Sequence, residues 1–172
     1  MRKLLATAGI LALSITPTAS FAGHKEVSPD QIKPLGRYEH ANLKGVDLSR
    51  RKIFSIQWDD ANLTNANLQG ADANGGTWFR TNLTNANLQG ANLHGSNMYK
   101  ANLTNANLRG VNLLGANLIG GVLRGADLRG AIIKDLELRG TDLNGIKATN
   151  LKGCPSSLPG GWVCENNSLF KR

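Results

Sequence analysis

Residues 41–145 read as an all-β solenoid of square cross-section, and three regularities carry that reading. Every fifth residue from Leu43 to Leu143 is apolar: fifteen Leu, with Ile53, Trp58, Ala73, Trp78, Met98 and Ile133 as exceptions. At 41% hydrophobic content, such a run arises by chance about once in 10⁸ trials for a given register. Two residues earlier runs a second, mostly small column that includes Ala41, Val46, Ala61, Ala66, Ala71, Ala86, Ala91 and Ala101. Finally, ANLTNANLQG at 61–70 and 81–90 and ANLTNANLRG at 101–110 recur at twenty residues, which is four fives.

A period of five fits neither regular element. On an α-helix the leucines would scatter around every face, and on a flat strand they would alternate between faces. A chain that turns a corner every five residues avoids both problems. Four sides close a coil, all the leucines point to its axis, and residues twenty apart stack about 4.8 Å from each other.

The elements follow in order. Residues 1–22 have the pattern of a cleaved secretory signal: Arg2 and Lys3, the apolar run Leu4–Ile15, then Ser20-Phe21-Ala22. Removing them takes the formal charge from +8 to +6, since two of the 20 Lys+Arg lie there and none of the 12 Asp+Glu. Residues 23–40 form a lead-in cap, where Ser28-Pro29-Asp30-Gln31 signals a capped turn that Pro34 stops. The stacks of the repeat read Leu43-Leu63-Leu83-Leu103-Leu123-Leu143; Leu48-Leu68-Leu88-Leu108-Leu128; Ile53-Ala73-Leu93-Leu113-Ile133; and Trp58-Trp78-Met98-Leu118-Leu138. Ala73, Gly75 and Gly76 are expected to leave the room that Trp78 fills. Arg51 occupies a small-column position and is expected to turn outward.

At residues 41–145 the chain resembles the pentapeptide-repeat family, whose motif is A-(D/N)-L-x-x. The resemblance implies a right-handed quadrilateral β-helix, with about five coils and a rod about 25 Å long at twenty residues per coil. Repeat-bearing sequence fades by residue 150. Residues 151–172 form a C-terminal cap in which an exported chain permits a Cys154–Cys164 disulfide. Pro159-Gly160-Gly161 supplies its turn, and Leu158 and Trp162 are the expected lid over the last coil. A metal site is disfavoured, because His24, His40 and His94 all lie far from these cysteines in sequence.

Nothing in the pattern resembles a catalytic constellation, so no enzyme activity, cofactor or metal is expected. Asp47, Asp72, Asp127 and Asp142 occupy the motif's own Asx position, and the Thr64-Thr84-Thr104 ladder follows from repeat copying. Two surface features remain. Phe79, Tyr99 and Ile119 stack on one outer face beside Arg80 and Lys100, with Leu114 one corner away, and such aromatics flanked by cations form a candidate partner-binding stripe. Arg124, Arg129, Lys134 and Arg139 ring one coil as a basic collar, with Arg109 above Arg129.

These features point to a monomeric, exported bacterial module, periplasmic or secreted, that binds a partner protein. An anionic envelope polymer or glycan is the alternative partner. The resemblance adds a third reading, since some family members mimic duplex DNA and bind type II topoisomerases. The basic charge, the signal and the capped end all disfavour it, and a one-sided basic stripe for nucleic acid is missing.

Overall fold

The computed structural model describes residues 27–172. The signal at 1–22 and His24 lie outside the described residues. From Arg37 onward the chain winds into a four-sided parallel β-helix, and its rungs are tied by parallel bridges between residues twenty apart, from Arg37↔Gln57 to Glu137↔Ser157. Around Leu63 the pattern is complete: its N–H donates to Asn82 O at 2.8 Å, and Asn82 N–H donates back to Ala61 O at 2.9 Å. Only the Asx position of each five forms a bridge, because the chain bends at the next corner before a longer strand can develop.

The corners explain the fifth position. There φ is positive, as at Gly70 (63°), Gly90 (65°) and Asn65 (60°), a region that glycine and asparagine enter most easily. With the bends placed there, every axial residue from Leu43 to Leu143 and nearly all of the small column are buried. Where a hydroxyl replaces alanine in that column it bonds a backbone carbonyl of the coil above. Thr81 Oγ1 donates to Trp58 O (2.9 Å), Ser96 Oγ to Ala73 O (3.2 Å) and Thr141 Oγ1 to Leu118 O (2.8 Å).

The aromatic end of the core follows the sequence reading with one correction. Tyr38 stacks on Trp58 (5.2 Å between centroids), and Trp58 meets Trp78 at 5.8 Å. Gly76 does make room for Trp78: a Cβ there would lie 2.9 Å from the indole Nε1 and 2.9 Å from Ile56 O. Gly75 does not, since its absent Cβ would face Ser55 Oγ (3.4 Å), and its role is the corner, at φ 63°.

Two short elements close the ends. At the top, a single 3₁₀ turn spans Pro29–Gln31, where Gln31 Oε1 accepts from Ser28 N–H at 3.2 Å. It drops Ile32 onto the core, 1% exposed. Arg51 does not swing free into solvent as expected. It is half-buried, and its Nη2 donates to Ile32 O at 2.9 Å, tying the lead-in to the first coil.

At the bottom, β1 (Trp162–Glu165) and β2 (Ser168–Lys171) form an antiparallel hairpin with Trp162 opposite Lys171. Pro159-Gly160-Gly161 does turn the chain, with Trp162 N–H donating to Pro159 O at 3.2 Å, but it leads into the hairpin, whose own loop is Asn166-Asn167, with φ 46° and 56°. The lid also differs from expectation. Leu169 (7% exposed) and Leu151 (2%) seal the last coil, whereas Leu158 and Trp162 are only partly buried against it. Leu169 N–H donates to Ala148 O (3.0 Å), and Leu151 N–H to Asn167 O (2.8 Å). Cys154 and Cys164 are joined by a disulfide that pins the hairpin to the descending chain.

Candidate functional site

The candidate site occupies one side of the coil, where residues 77–80, 97–100 and 117–120 stack. Twenty-residue spacing brings Phe79 over Tyr99 with ring centroids 5.4 Å apart and planes 12° from parallel. Both rings and Ile119 below them are half-buried, so this is a shallow apolar spine on the outside of the rod. Asp59 lies directly above the spine, and its carboxylate accepts the Phe79 N–H at 2.9 Å.

The next column places cations along the spine. Arg80 lies 4.3 Å over the Phe79 ring, and Lys100 Nζ sits 5.2 Å from the Tyr99 centroid. Arg80 is also held from above by a two-pronged pair with Asp60, Nε–Oδ1 and Nη2–Oδ2 both at 2.6 Å. That hydrogen-bonded guanidinium keeps the Asp60 carboxyl below its ordinary range and raises Arg80 in turn. Lys100 is different, because among the described residues no carboxylate pairs with it. Both cations stand at corner positions with positive φ, 53° for Arg80 and 57° for Lys100.

That conformation costs an L-residue about 1–2 kcal/mol relative to the right-handed region. Glycine fills the same corner at 120 and 140 on this side. Leu114 does not join the spine. It is half-buried on the neighbouring side, in the column of His94 and Lys134.

The basic collar is less uniform than its sequence suggested. Arg129 grips Asp127 with Nε 2.8 Å from Oδ1, and Arg124 pairs with Asp142 of the coil below. Those aspartates sit in the motif's Asx position, so they act as counter-ions as well as bridge residues. The hydrogen-bonded Arg129 side chain holds the Asp127 carboxyl down at about 2, with help from the Arg129 N–H and the nearby Arg109 charge. Arg109, Lys134 and Arg139 are exposed and lack such a pair among the described residues. The Asp60–Arg80 pair was missed in the sequence reading, although its signal was present: opposite charges twenty residues apart, one rung above the other.

The outer Thr column is committed to internal bonds. Thr64, Thr84 and Thr104 each donate their hydroxyl to the Asn two residues earlier, at 2.6–2.7 Å. This leaves the threonine ladder without free donors.

A family model for pentapeptide repeats matches eight copies over residues 56–77, 79–115 and 106–145. Similar solved structures include the pentapeptide repeat protein Rfr23 of the cyanobacterium Cyanothece 51142. It is 26% identical, with 71% of this chain and 90% of that one covered and a TM-score of 0.45. A pentapeptide repeat protein of the Arabidopsis thaliana thylakoid lumen is also 26% identical, over 72% and 79% of the two chains, at a TM-score of 0.35. QnrB1, a plasmid-mediated fluoroquinolone resistance protein, is 14% identical over 76% and 89%, at 0.41. No curated protein sequence matches the chain. Five-residue sides, stacked Asx bridges, leucine-filled axis and matched repeats together make this chain a member of the pentapeptide-repeat family.

Proposed function

We propose that this chain is an exported, non-enzymatic interaction module that binds a partner protein through the Phe79–Tyr99–Ile119 face. One observation carries the reading. Lys100 stands in a costly left-handed conformation, exposed, with its ammonium over Tyr99 and no carboxylate partner among the described residues. Arg80 is accounted for by Asp60 and Phe79, so its placement has an internal reason. The Lys100 stem lies over the Gly120 corner, its ammonium has only the ring, and an exposed cation–π contact stabilises by about 0.5–1 kcal/mol. That contact offsets the conformational cost only in part, and it holds the ammonium exposed beside the Phe79–Tyr99 spine, within reach of a partner. The Cys154–Cys164 disulfide supports an oxidising compartment and therefore export.

The test is affinity capture from the bacterial envelope, comparing the mature chain with Tyr99→Glu. The variant is expected to keep its thermal melt within a few degrees and to lose the captured partner. A folded Tyr99→Glu that retains every partner would refute the proposal. A second reading, attachment to an anionic envelope polymer or glycan, is favoured by the unpaired Arg109, Lys134 and Arg139. It predicts salt-sensitive retention on wall fractions that weakens in Lys134→Ala/Arg139→Ala and is untouched by Tyr99→Glu.

A further inference from the structure

The chain contains the corner pattern Asp-x-Asn-Gly twice, as Asp72-Ala73-Asn74-Gly75 and as Asp142-Leu143-Asn144-Gly145. The two share three features. Asn74 Nδ2 donates to Asp72 Oδ1 at 2.6 Å, and Asn144 Nδ2 to Asp142 Oδ1 at 2.7 Å. Each asparagine carbonyl accepts from the coil above, from Ser55 N–H at 2.8 Å and from Gly125 N–H at 2.9 Å. Both glycines have positive φ, 63° and 71°.

They differ in the next N–H. Gly75 N–H is tied to His94 O of the coil below at 2.9 Å, whereas Gly145 N–H has no hydrogen-bond partner among the described residues. Residues 141–145 form the last rung on their side, and Leu143 N–H and Thr141 C=O are likewise unpaired there. Asn144 and Gly145 are both exposed, while Asn74 is half-buried.

We propose that Asn144 is a site of spontaneous covalent modification, an asparagine that deamidates through its glycine neighbour, and that Asn74 is protected from the same chemistry. The Gly145 nitrogen, losing its proton to hydroxide, attacks Asn144 Cγ. The Cγ–Nδ2 bond breaks, and ammonia departs with a proton taken from water. The resulting five-membered imide is opened by water at either C–N bond, giving aspartate or isoaspartate. Attack requires a glycine nitrogen free of its hydrogen bond and a backbone able to rotate about Asn144. At Gly75 both demands break bonds in the middle of the stack; at Gly145 the nitrogen is already free, and the rotation gives up only the Gly125–Asn144 bond at the end of the stack.

The modification would put a carboxylate in place of the amide that now donates to Asp142, the counter-ion of Arg124 in the basic collar. It would therefore change the charge of the collar's lower edge.

The experiment is peptide mapping of the full folded chain after incubation at mildly alkaline pH. Tryptic peptides 53–80 and 140–147 each carry one of the two sites, and the readout is the amide-to-acid mass gain at Asn74 and at Asn144. The same incubation on the reduced chain in concentrated urea gives the intrinsic ratio of the two rates. Removing one hydrogen bond and the rung opening behind it should make the folded ratio exceed the unfolded ratio by roughly tenfold or more. Equal folded and unfolded ratios would overturn the proposal. So would a folded chain whose Asn144 stays intact while the unfolded chain converts.

Discussion

Asn67 uses both ends of its carboxamide. Its Nδ2 donates upward to Asp47 Oδ1 at 3.1 Å, and its Oδ1 accepts the Gln69 N–H (3.3 Å) and Asn87 Nδ2 (3.2 Å). Asn107 Nδ2 continues the line to Asn87 Oδ1 at 3.0 Å. Because every amide donates the same way, the first member needs only to accept, and Asp47 does so as a carboxylate. Its acidity is enhanced first by the Ser49 N–H and further by Asn67. Asp72 heads the Asn92–Asn112 line in the same manner. Asn87→Asp should therefore cost about 1–3 kcal/mol, since it removes one donor and faces a carboxylate with the Asn67 oxygen. Asp47→Asn should change the melting temperature little, and finding the reverse order in thermal melts would contradict the directional ladder. Asp127 gives a pH prediction. Its folded pKa, about 2, lies below the ordinary 3.8, so its stabilising pair with Arg129 is complete above about pH 4. That contribution is lost as pH falls towards 2. Melts across this window should show a shallower acid decline in Asp127→Asn than in the parent.

At the level of elements, the caps differ most from the coils in what their sequences disclose. The axial columns were legible because the period of five is long and repeated, and each leucine's burial follows from its register alone. The C-terminal hairpin was not. Trp162–Glu165 and Ser168–Lys171 are each four residues long, too short to show a periodicity, and Asn-Asn is a weaker turn signal than Pro-Gly-Gly. With the second turn, at Asn166-Asn167, unseen, the lid falls to Trp162 instead of Leu169. The stripe was legible as a column, since Phe79, Tyr99 and Ile119 are twenty apart. The bond of Arg51 to Ile32 O was not, because it depends on where an unrepeated lead-in folds back. Opening the disulfide tests the lower cap. Cys154→Ser/Cys164→Ser should lose about 3 kcal/mol by the loop-closure estimate, and amide exchange should quicken first at Leu151 and Leu169. Uniformly faster exchange throughout the rod would instead mean that the cap and coils unfold as one unit.

Across the whole molecule, each coil bonds only to the coil above and the coil below. The rod is thus stabilised by nearest-neighbour interfaces, as in other repeat architectures. Leu103 sits in the middle of its stack and is fully buried. Leu103→Ala should cost about 2–5 kcal/mol, and a denaturation curve without such a loss would remove it from the axis. The faces of the rod can vary far more freely than its interior. The differences between its four sides, such as the spine at Phe79 and Tyr99 and the cations beside it, are where recognition can be written without disturbing the stack.

The bridges between residues twenty apart also set the lengths at which this protein can grow or shrink. Excising residues 81–100 would join Arg80 to Ala101, keep every later residue on its own side, and yield a rod one storey shorter that should still fold. Phe79 would then rest on Ile119. Excising only 81–85 would move every later column round one corner, sliding the leucines of one side beneath the tryptophans of another. Chains of this kind should change length by whole storeys, and a purified twenty-residue deletion that melts cooperatively beside an insoluble five-residue deletion would show it.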